Sequence, residues 1–408
     1  MTPVVMKFGG TSVATIGKMQ KAARFIRQAV DDNTPVIAVV SAMAGETNRL
    51  AELVRSVSSV FDAREYDNVL ATGENVTSAL LALILQTMGV SARSWQGWQV
   101  PVRTSSVHGA ARILDIERDR LDARFADGME VAVIAGFQGV SSDGRITTLG
   151  RGGSDLTAVA FAAAFDRARC MIYTDVDGVF TADPRVVKTA RKLEHISYEE
   201  MLELASLGSK VLQTRSVELA MRHRVPVHVL SSYTGQPGTY VTDEETHMET
   251  RTISGIAHSR DEAKVTLQSV ADRPGIAALI FTALANHDIN VDMIVQNIAE
   301  DKRTDITFSC PVEDIAKARS AIELLQGRGD LNVAGLLCDE SVCKVSVVGI
   351  GMRTQSGIAA KMFAALGREG INIKVISTSE IKISVLVDRK YMELAVRTLH
   401  EEFGLHQK

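Results

Sequence analysis

The chain has 408 residues, 46% of them hydrophobic and 23% charged, which predicts two or three folded domains and excludes a disordered protein. A formal net charge of −4, with Lys and Arg scattered along the sequence, offers no basic face to nucleic acid or to an anionic membrane. Four cysteines without a Cys-x-x-Cys pair, and nine histidines without ligand spacing to them, argue against a disulfide framework and a zinc site.

Met1 to Gly10 has no basic flank ahead of a long apolar run, and no apolar stretch reaches the roughly 18 residues of a membrane span, so a cytoplasmic protein is expected. Val4 to Phe8 reads as a short buried strand broken by Gly9 and Gly10. Thr11 or Ser12 then caps a helix from Ile16 to Val30, in which Met19, Ala22, Ala23 and Ile26 recur at helical spacing. Strand, glycines and helix start make a phosphate cradle, with Lys7 at the strand end; the Walker spacing is absent, and a lysine beside two glycines is by itself weak. Val36 to Ser41 is a second buried strand, opening into a small-residue loop, Ala42 to Asn48, where Ser41 and Thr47 offer hydroxyls. A helical region follows to Met88, interrupted at Ala71 to Asn75. Glu74 there is either a solvated first-turn carboxylate or a ligand for an ammonium group.

Strands at Ser91 to Trp95 and Glu130 to Ala135 lead through Gly136-Phe137-Gln138-Gly139 to the stretch Thr147 to Thr157. In it Gly150, Gly152 and Gly153 let the backbone approach a ligand, Ser154 is an expected N-cap for the helix Leu156 to Phe165, and Arg151 supplies a planar fork for a carboxylate or phosphate. Cys170 to Tyr173 is a further strand. It runs into Thr174 to Arg185, which carries Asp175, Asp177, Phe180 and Arg185; the Asp-x-Asp-Gly run lacks the other ligands of a calcium loop, and nucleotide contacts fit better. Lys210 precedes a helical run from Val211 to Met221. Strands alternating with helices imply an α/β, mostly parallel sheet with ligands at the carboxyl ends of the strands.

Thr239 to Thr250 is polar and acidic, as a linker would be. Beyond it Gly275 to Ile294 aligns without gaps with Gly357 to Ile376, half of the positions being identical, which indicates two copies of a βαββαβ unit. The second copy has Thr354-Gln355-Ser356-Gly357 where the first has Asp272-Arg273-Pro274-Gly275.

Lys7-Phe8-Gly9-Gly10-Thr11-Ser12-Val13, Gly150-Arg151-Gly152-Gly153-Ser154-Asp155 and Thr174-Asp175-Val176-Asp177-Gly178, followed by the doubled unit, resemble the aspartokinases, amino-acid-kinase-fold enzymes that phosphorylate aspartate, in their monofunctional form. The resemblance implies an α/β catalytic domain over residues 1–245, its largely parallel sheet sandwiched by helices. A regulatory region, 246–408, would hold two ACT-type ferredoxin-like units, one at 263–338 and one at 339–408 completed by a strand at 251–258. ATP with Mg2+ would lie on Lys7, Phe8, Gly9, Gly10, Ser41, Thr174, Asp175, Phe180, Arg185 and Lys210, and L-aspartate on Thr47, Glu74, Arg151, Gly152, Gly153 and Ser154. Arg151 and Glu74 are the cation and anion that a zwitterionic amino acid requires. Lys7 and Asp155 would be the catalytic pair, Asp155 organising Lys7 and the metal shell, with no metal site formed by protein side chains alone.

ACT units sense lysine and threonine in that family. On the βαββαβ reading, Asp272, the amides of Gly275, Ile276 and Ala277, and Asn290, Val291, Asp292 and Gln296 converge on one effector pocket, closed by Asn372, Ile373, Thr378 and Glu380 of another chain. A homodimer or larger assembly through these units is expected, and Met248 stands where some relatives begin a short regulatory subunit. The competing readings are another enzyme of the same fold, acting on glutamate or acetylglutamate, and a non-catalytic amino-acid sensor.

Overall fold

The computed structural model describes residues 2–208, 211–234, 236–243, 252–298 and 303–407. Two compact units emerge: Met1–Val179 with Lys192–Ser206 and Lys210–Met248, and Phe180–Arg191 with Leu207–Ser209 and Glu249–Lys408.

The first unit begins β1 (Val4–Phe8), α1 (Ile16–Asp31), β2 (Val36–Val40), α2 (Glu46–Val57), α3 (Ala63–Leu70), α4 (Thr72–Thr87), β3 (Ala92–Trp95). It continues β4 (Val102–Thr104), β5 (Ile113–Ile116), α5 (Asp119–Ala126), β6 (Val131–Ala135), β7 (Gln138–Val140), β8 (Ile146–Thr148), α6 (Gly153–Ala164) and β9 (Cys170–Thr174). It ends with β10 (His195–Ser197), α7 (Tyr198–Ser206), α8 (Thr214–His223), β11 (Val227–Ser231) and β12 (Thr239–Thr242). Eight strands form one sheet in the order β10-β12-β11-β9-β1-β2-β6-β3, parallel throughout except at β11 and β12. β1, β2 and β6 are buried along their whole length, which is why they read as continuous apolar runs rather than alternating ones. Val4, Met6 and Phe8 pack with Met19, Ala22, Ala23 and Ile26 of α1 and Leu81 and Leu85 of α4, while α6 lies against β1, β2 and β9. The continuous helical stretch Ala63–Thr87 is long and apolar enough to cross a bilayer, contrary to the sequence reading, yet half of its most apolar window is buried in this unit. A second, small sheet, β5-β4-β7-β8, was not foreseen; its strands have only three or four residues and carry no run of alternation long enough to detect.

Two helix starts differ from expectation. Thr15, whose hydroxyl accepts from the Lys18 amide at 3.3 Å, caps α1, and Gly10–Ser12 forms a 3-10 turn instead. Gly152, at φ 70°, is the N-cap of α6, and Ser154 lies inside its first turn.

The second unit runs β13 (Gly255–Ser259), β14 (Glu262–Ala271), α9 (Ile276–Ala285), β15 (Asp292–Ile298), β16 (Arg303–Pro311), α10 (Ile315–Gly327) and β17 (Gly335–Asp339). It then repeats the pattern with β18 (Val342–Val348), α11 (Ile358–Arg368), β19 (Ile373–Thr378), β20 (Lys382–Asp388) and α12 (Met392–Glu402). The sheets are β15-β16-β14-β17 and β13-β18-β20-β19, so the whole first copy is inserted between two neighbouring strands of the second. The segment Phe180–Arg191, read from the sequence as catalytic-domain chain, belongs to this unit: Ala182 and Val187 are buried with Ile253, Met392 and Leu399, and Thr181 Oγ1 lies 2.9 Å from His400 Nε2.

Candidate active site

β1 is flanked by β2 on one side and β9 on the other, so the chain winds away from it in both directions and a crevice is expected outside its carboxyl end. Alternation along β1 sends Val4, Met6 and Phe8 toward α1 and α4, which leaves Lys7 on the face covered by α6. Its ammonium stands 2.5 Å from Asp155 Oδ1 in the first turn of α6, and both side chains are nine-tenths buried. The two loops at the strand ends meet closely. The Ser41 amide donates to Phe8 O at 3.1 Å and the Gly9 amide to Tyr173 O at 3.3 Å. A β-carbon at Gly10 would lie 2.9 Å from Ala42 O, so only glycine allows this approach.

Glu74, in the first turn of α4, is 3% exposed. One of its oxygens accepts from the Ala42 amide at 2.9 Å; the other has no partner among the described residues. Burial pushes its carboxyl up to about 7, although the Ala42 amide favours the ionised form. A buried acceptor held ready in this way suits an incoming cation.

Arg151 is exposed in the turn between Gly150 (φ 77°) and Gly152, without an ion pair among the described residues. A side chain at Gly152 would collide with Gln213, which explains why glycine rather than serine enters α6. The early helix start leaves the first-turn amides of Ser154 and Asp155 without helical acceptors, and Ser154 is buried beside Gly136. Thr47 is half-buried in the first turn of α2. Lys7, Gly9, Gly10, Ser41, Glu74, Ser154 and Asp155 thus gather around the ends of β1 and β2.

Thr174 ends β9 and its hydroxyl donates to Asp175 at 3.3 Å. Phe180 and Arg185 are carried by the segment that belongs to the second unit, where Arg185 is exposed and engages Asp183 at 3.0 and 2.7 Å. That guanidinium holds the Asp183 carboxyl below the usual range. Lys210 and Met248 lie outside the described residues. In the second unit Asp272, Asn290 and Gln296 are exposed, and Gly275, at φ 89°, caps α9 ahead of buried Ile276. Asp292 is already engaged by Lys344 at 2.9 Å, and Glu380 by Arg353 at 3.3 Å. Asn372 and Thr378 are exposed and Ile373 half-buried, at or near the ends of β19.

Sequence reasoning missed Asp67, fully buried and hydrogen-bonded to His108, Gly109 and Thr148, and Ser12, whose hydroxyl donates to Ser232 Oγ at 2.9 Å. It also missed Lys18, which reaches Thr11 O at 2.9 Å and Tyr233 Oη at 3.2 Å. Apart from Thr11, their partners lie far away in the chain, where no local pattern announces them. Among the described residues no three His, Cys, Asp or Glu side chains cluster as metal ligands do.

The family model described as the amino acid kinase family matches residues 2–231, and models of the ACT domain match 264–330 and 345–403. The chain is 50% identical over 407 residues to an aspartate kinase of Stutzerimonas stutzeri, covering 99% of this chain and 98% of that protein. It is 46% identical over 411 residues to an aspartokinase of Mycobacterium tuberculosis, covering 99% and 97%. Among solved structures it is similar to Escherichia coli aspartokinase III in complex with aspartate and ADP (R-state), with a TM-score of 0.82 and 27% identity over 98% of this chain and 99% of that one. The lysine and aspartate complex of the same enzyme (T-state) gives 0.77 and 26%, over 99% and 100%.

Proposed function

The chain belongs to the aspartokinase family, and from that premise we propose how its own residues carry out the transfer of a phosphoryl group from ATP to L-aspartate. The observation that carries the reading is Glu74, a buried carboxylate with one oxygen unpartnered among the described residues, in the same loop cluster as the Lys7 and Asp155 ion pair. Glu74 takes the substrate ammonium and Arg151 its α-carboxylate, with Thr47, Ser154 and the backbone of Gly152 and Gly153 completing the site. The substrate's side-chain carboxylate, with a reference pKa near ~3.9, is ionised at neutral pH and attacks the γ-phosphorus without a general base. The new P–O bond forms as the bond to the β-phosphate oxygen breaks; the products are 4-phospho-L-aspartate and ADP.

Two anions must meet in line, so the site's task is charge compensation. Lys7 meets the charge on the transferring group, and Asp155 fixes the position of Lys7. The backbone of Phe8, Gly9 and Gly10, with Ser41, Thr174 and Asp175, lines the phosphate and nucleotide side. Mg2+ would neutralise phosphate charge when bound with ATP; among the described residues no carboxylate cluster is present, and Asp155, beside Lys7, is the side chain that would help to hold it. The test is ADP release measured with aspartate, glutamate and acetylglutamate: a preference for either of the latter, or no turnover with any, overturns the assignment.

For the regulatory unit we propose lysine, threonine or both as effectors, bound around Asp272 and Gln296, in a homodimer or larger assembly of a cytoplasmic enzyme. Lysine in the relative's T-state complex and the two ACT matches support this reading. Light scattering that shows a stable monomer would overturn the assembly.

A further inference from the structure

We infer that Asp67 is a positioning residue for the aspartate-binding loop: its carboxylate ties together the two backbone segments that flank Gly150 and so sets where Arg151 stands. The inference rests on the reading of Arg151 as the clamp for the substrate's α-carboxylate. Asp67 is on α3 and is fully buried. Among the described residues no lysine or arginine pairs with it. Its oxygens accept instead from the Gly109 amide at 3.1 and 3.0 Å, from the Thr148 amide at 3.0 Å and from the Thr148 hydroxyl at 2.6 Å, and one lies 2.8 Å from His108 Nδ1. An apolar residue at this site would leave the Gly109 and Thr148 amides without this acceptor, so the carboxylate is what holds the two segments to α3.

The donors are not scattered. Gly109 lies in the connection between β4 and β5, and Thr148 is the last residue of β8, directly ahead of Leu149, Gly150 and Arg151. The two segments close on Gly150: a β-carbon there would lie 3.0 Å from Gly109 O, and its φ is 77°. Arg215 grips the same pair, donating to Leu149 O at 2.5 Å and Ala111 O at 2.9 Å. Arg151 itself is exposed and unpaired among the described residues, so its backbone, not a neighbouring side chain, places it. A displaced fork loses bidentate contact with a carboxylate, whereas the Lys7 to Gly10 loop has no bond to Asp67.

An amide in place of the Asp67 carboxylate keeps the volume but turns hydrogens toward the Gly109 and Thr148 amides, which are themselves donors. The experiment measures KM for aspartate and for ATP, kcat and thermal unfolding for Asp67→Asn, Thr148→Val, Thr148→Ser and Arg151→Ala. Asp67→Asn and Thr148→Val should raise KM for aspartate about tenfold, in the direction of Arg151→Ala, with KM for ATP within about twofold of wild type. Thr148→Ser, which keeps the hydroxyl, should restore the wild-type value. Lowered thermal stability with an unchanged ratio of the two KM values would assign Asp67 to packing and overturn the inference. If Asp67→Asn does not fold, equal aspartate KM values for Thr148→Val and Thr148→Ser overturn it. Should Arg151→Ala leave KM for aspartate unchanged, the reading of the site has failed, an outcome distinct from failure of Asp67→Asn beside a defective Arg151→Ala.

Discussion

Lys7 Nζ and Asp155 Oδ1 are 2.5 Å apart, on the end of β1 and the first turn of α6, and water reaches about a tenth of either side chain. In so dry a setting the pair fixes the ammonium in direction as well as position, which is how a cation serves a transition state better than a ground state. Lys7→Ala should therefore lower kcat on the order of 100-fold or more while KM for aspartate changes little. An unchanged kcat with a raised KM would assign Lys7 to ground-state binding only. Asp155→Asn, which leaves the lysine without its anchor, should show the same pattern more weakly.

Glu74 predicts a pH dependence. Burial raises its carboxyl from 4.5 to about 7, so between those values the folded free enzyme holds a proton that the unfolded chain has released. Stability thus falls as pH rises through that window, and above it the buried charge is a cost. Glu74→Gln should make the free enzyme more stable than wild type at pH above about 7, by on the order of 1–3 kcal/mol, with the difference shrinking toward acid. In activity the sign reverses, because the substrate ammonium needs the ionised form. Wild-type kcat/KM for aspartate should rise through about pH 7 and the variant's stay low and flat; a flat wild-type profile there sinks the assignment.

Arg151→Ala should raise KM for aspartate by about 10- to 100-fold, the worth of a charge-assisted pair of hydrogen bonds, and leave ATP affinity near wild type. Titrating each substrate at saturation of the other separates the two. A loss confined to ATP would mean that the fork serves a phosphate instead.

How much of this was readable in the sequence depends on the range of the interaction. β1, β2 and β6 were legible because strands covered on both faces are continuous apolar runs, and the two βαββαβ copies because duplication repeats a pattern. Lys7, Glu74 and Arg151 stood out as charges set among glycines or apolar helix. The 3-10 turn after Gly9 moved the α1 cap to Thr15, and the left-handed Gly152 moved the start of α6, since any of several nearby polar or glycine residues satisfies a local rule. Asp67 was invisible: its helix neighbours carry no hint of acceptor duty, and Gly109 and Thr148 reach it only after the chain has folded. The placement of Phe180–Arg191 in the second unit is of the same kind, decided by burial of Ala182 and Val187 rather than by any motif.

The last prediction concerns feedback. Asp272 follows β14 directly, Gly275 turns the chain into α9, and Gln296 is exposed on β15, which β16 separates from β14, so three groups suited to an amino acid belong to one βαβ stretch. Asp292, on the same strand, is different. Its carboxylate is held by Lys344, which also binds Glu262 at 2.7 Å, and that ammonium outweighs partial desolvation to keep the Asp292 carboxyl below its usual range. Asp292 therefore joins the two copies, and exposed Asp272 and Gln296 are the groups our proposal assigns to an effector. An effector shifts an equilibrium only by its differential affinity for two states, so removing its contacts should abolish inhibition without lowering uninhibited activity. Asp272→Ala and Gln296→Ala, assayed for ADP release with lysine, threonine and both together, should lose inhibition at concentrations that halve the wild-type rate. Lys344→Met should instead destabilise the unit, because it leaves Glu262 buried without its cation. Inhibition persisting in both alanine variants at wild-type effector concentrations would place the effector site elsewhere.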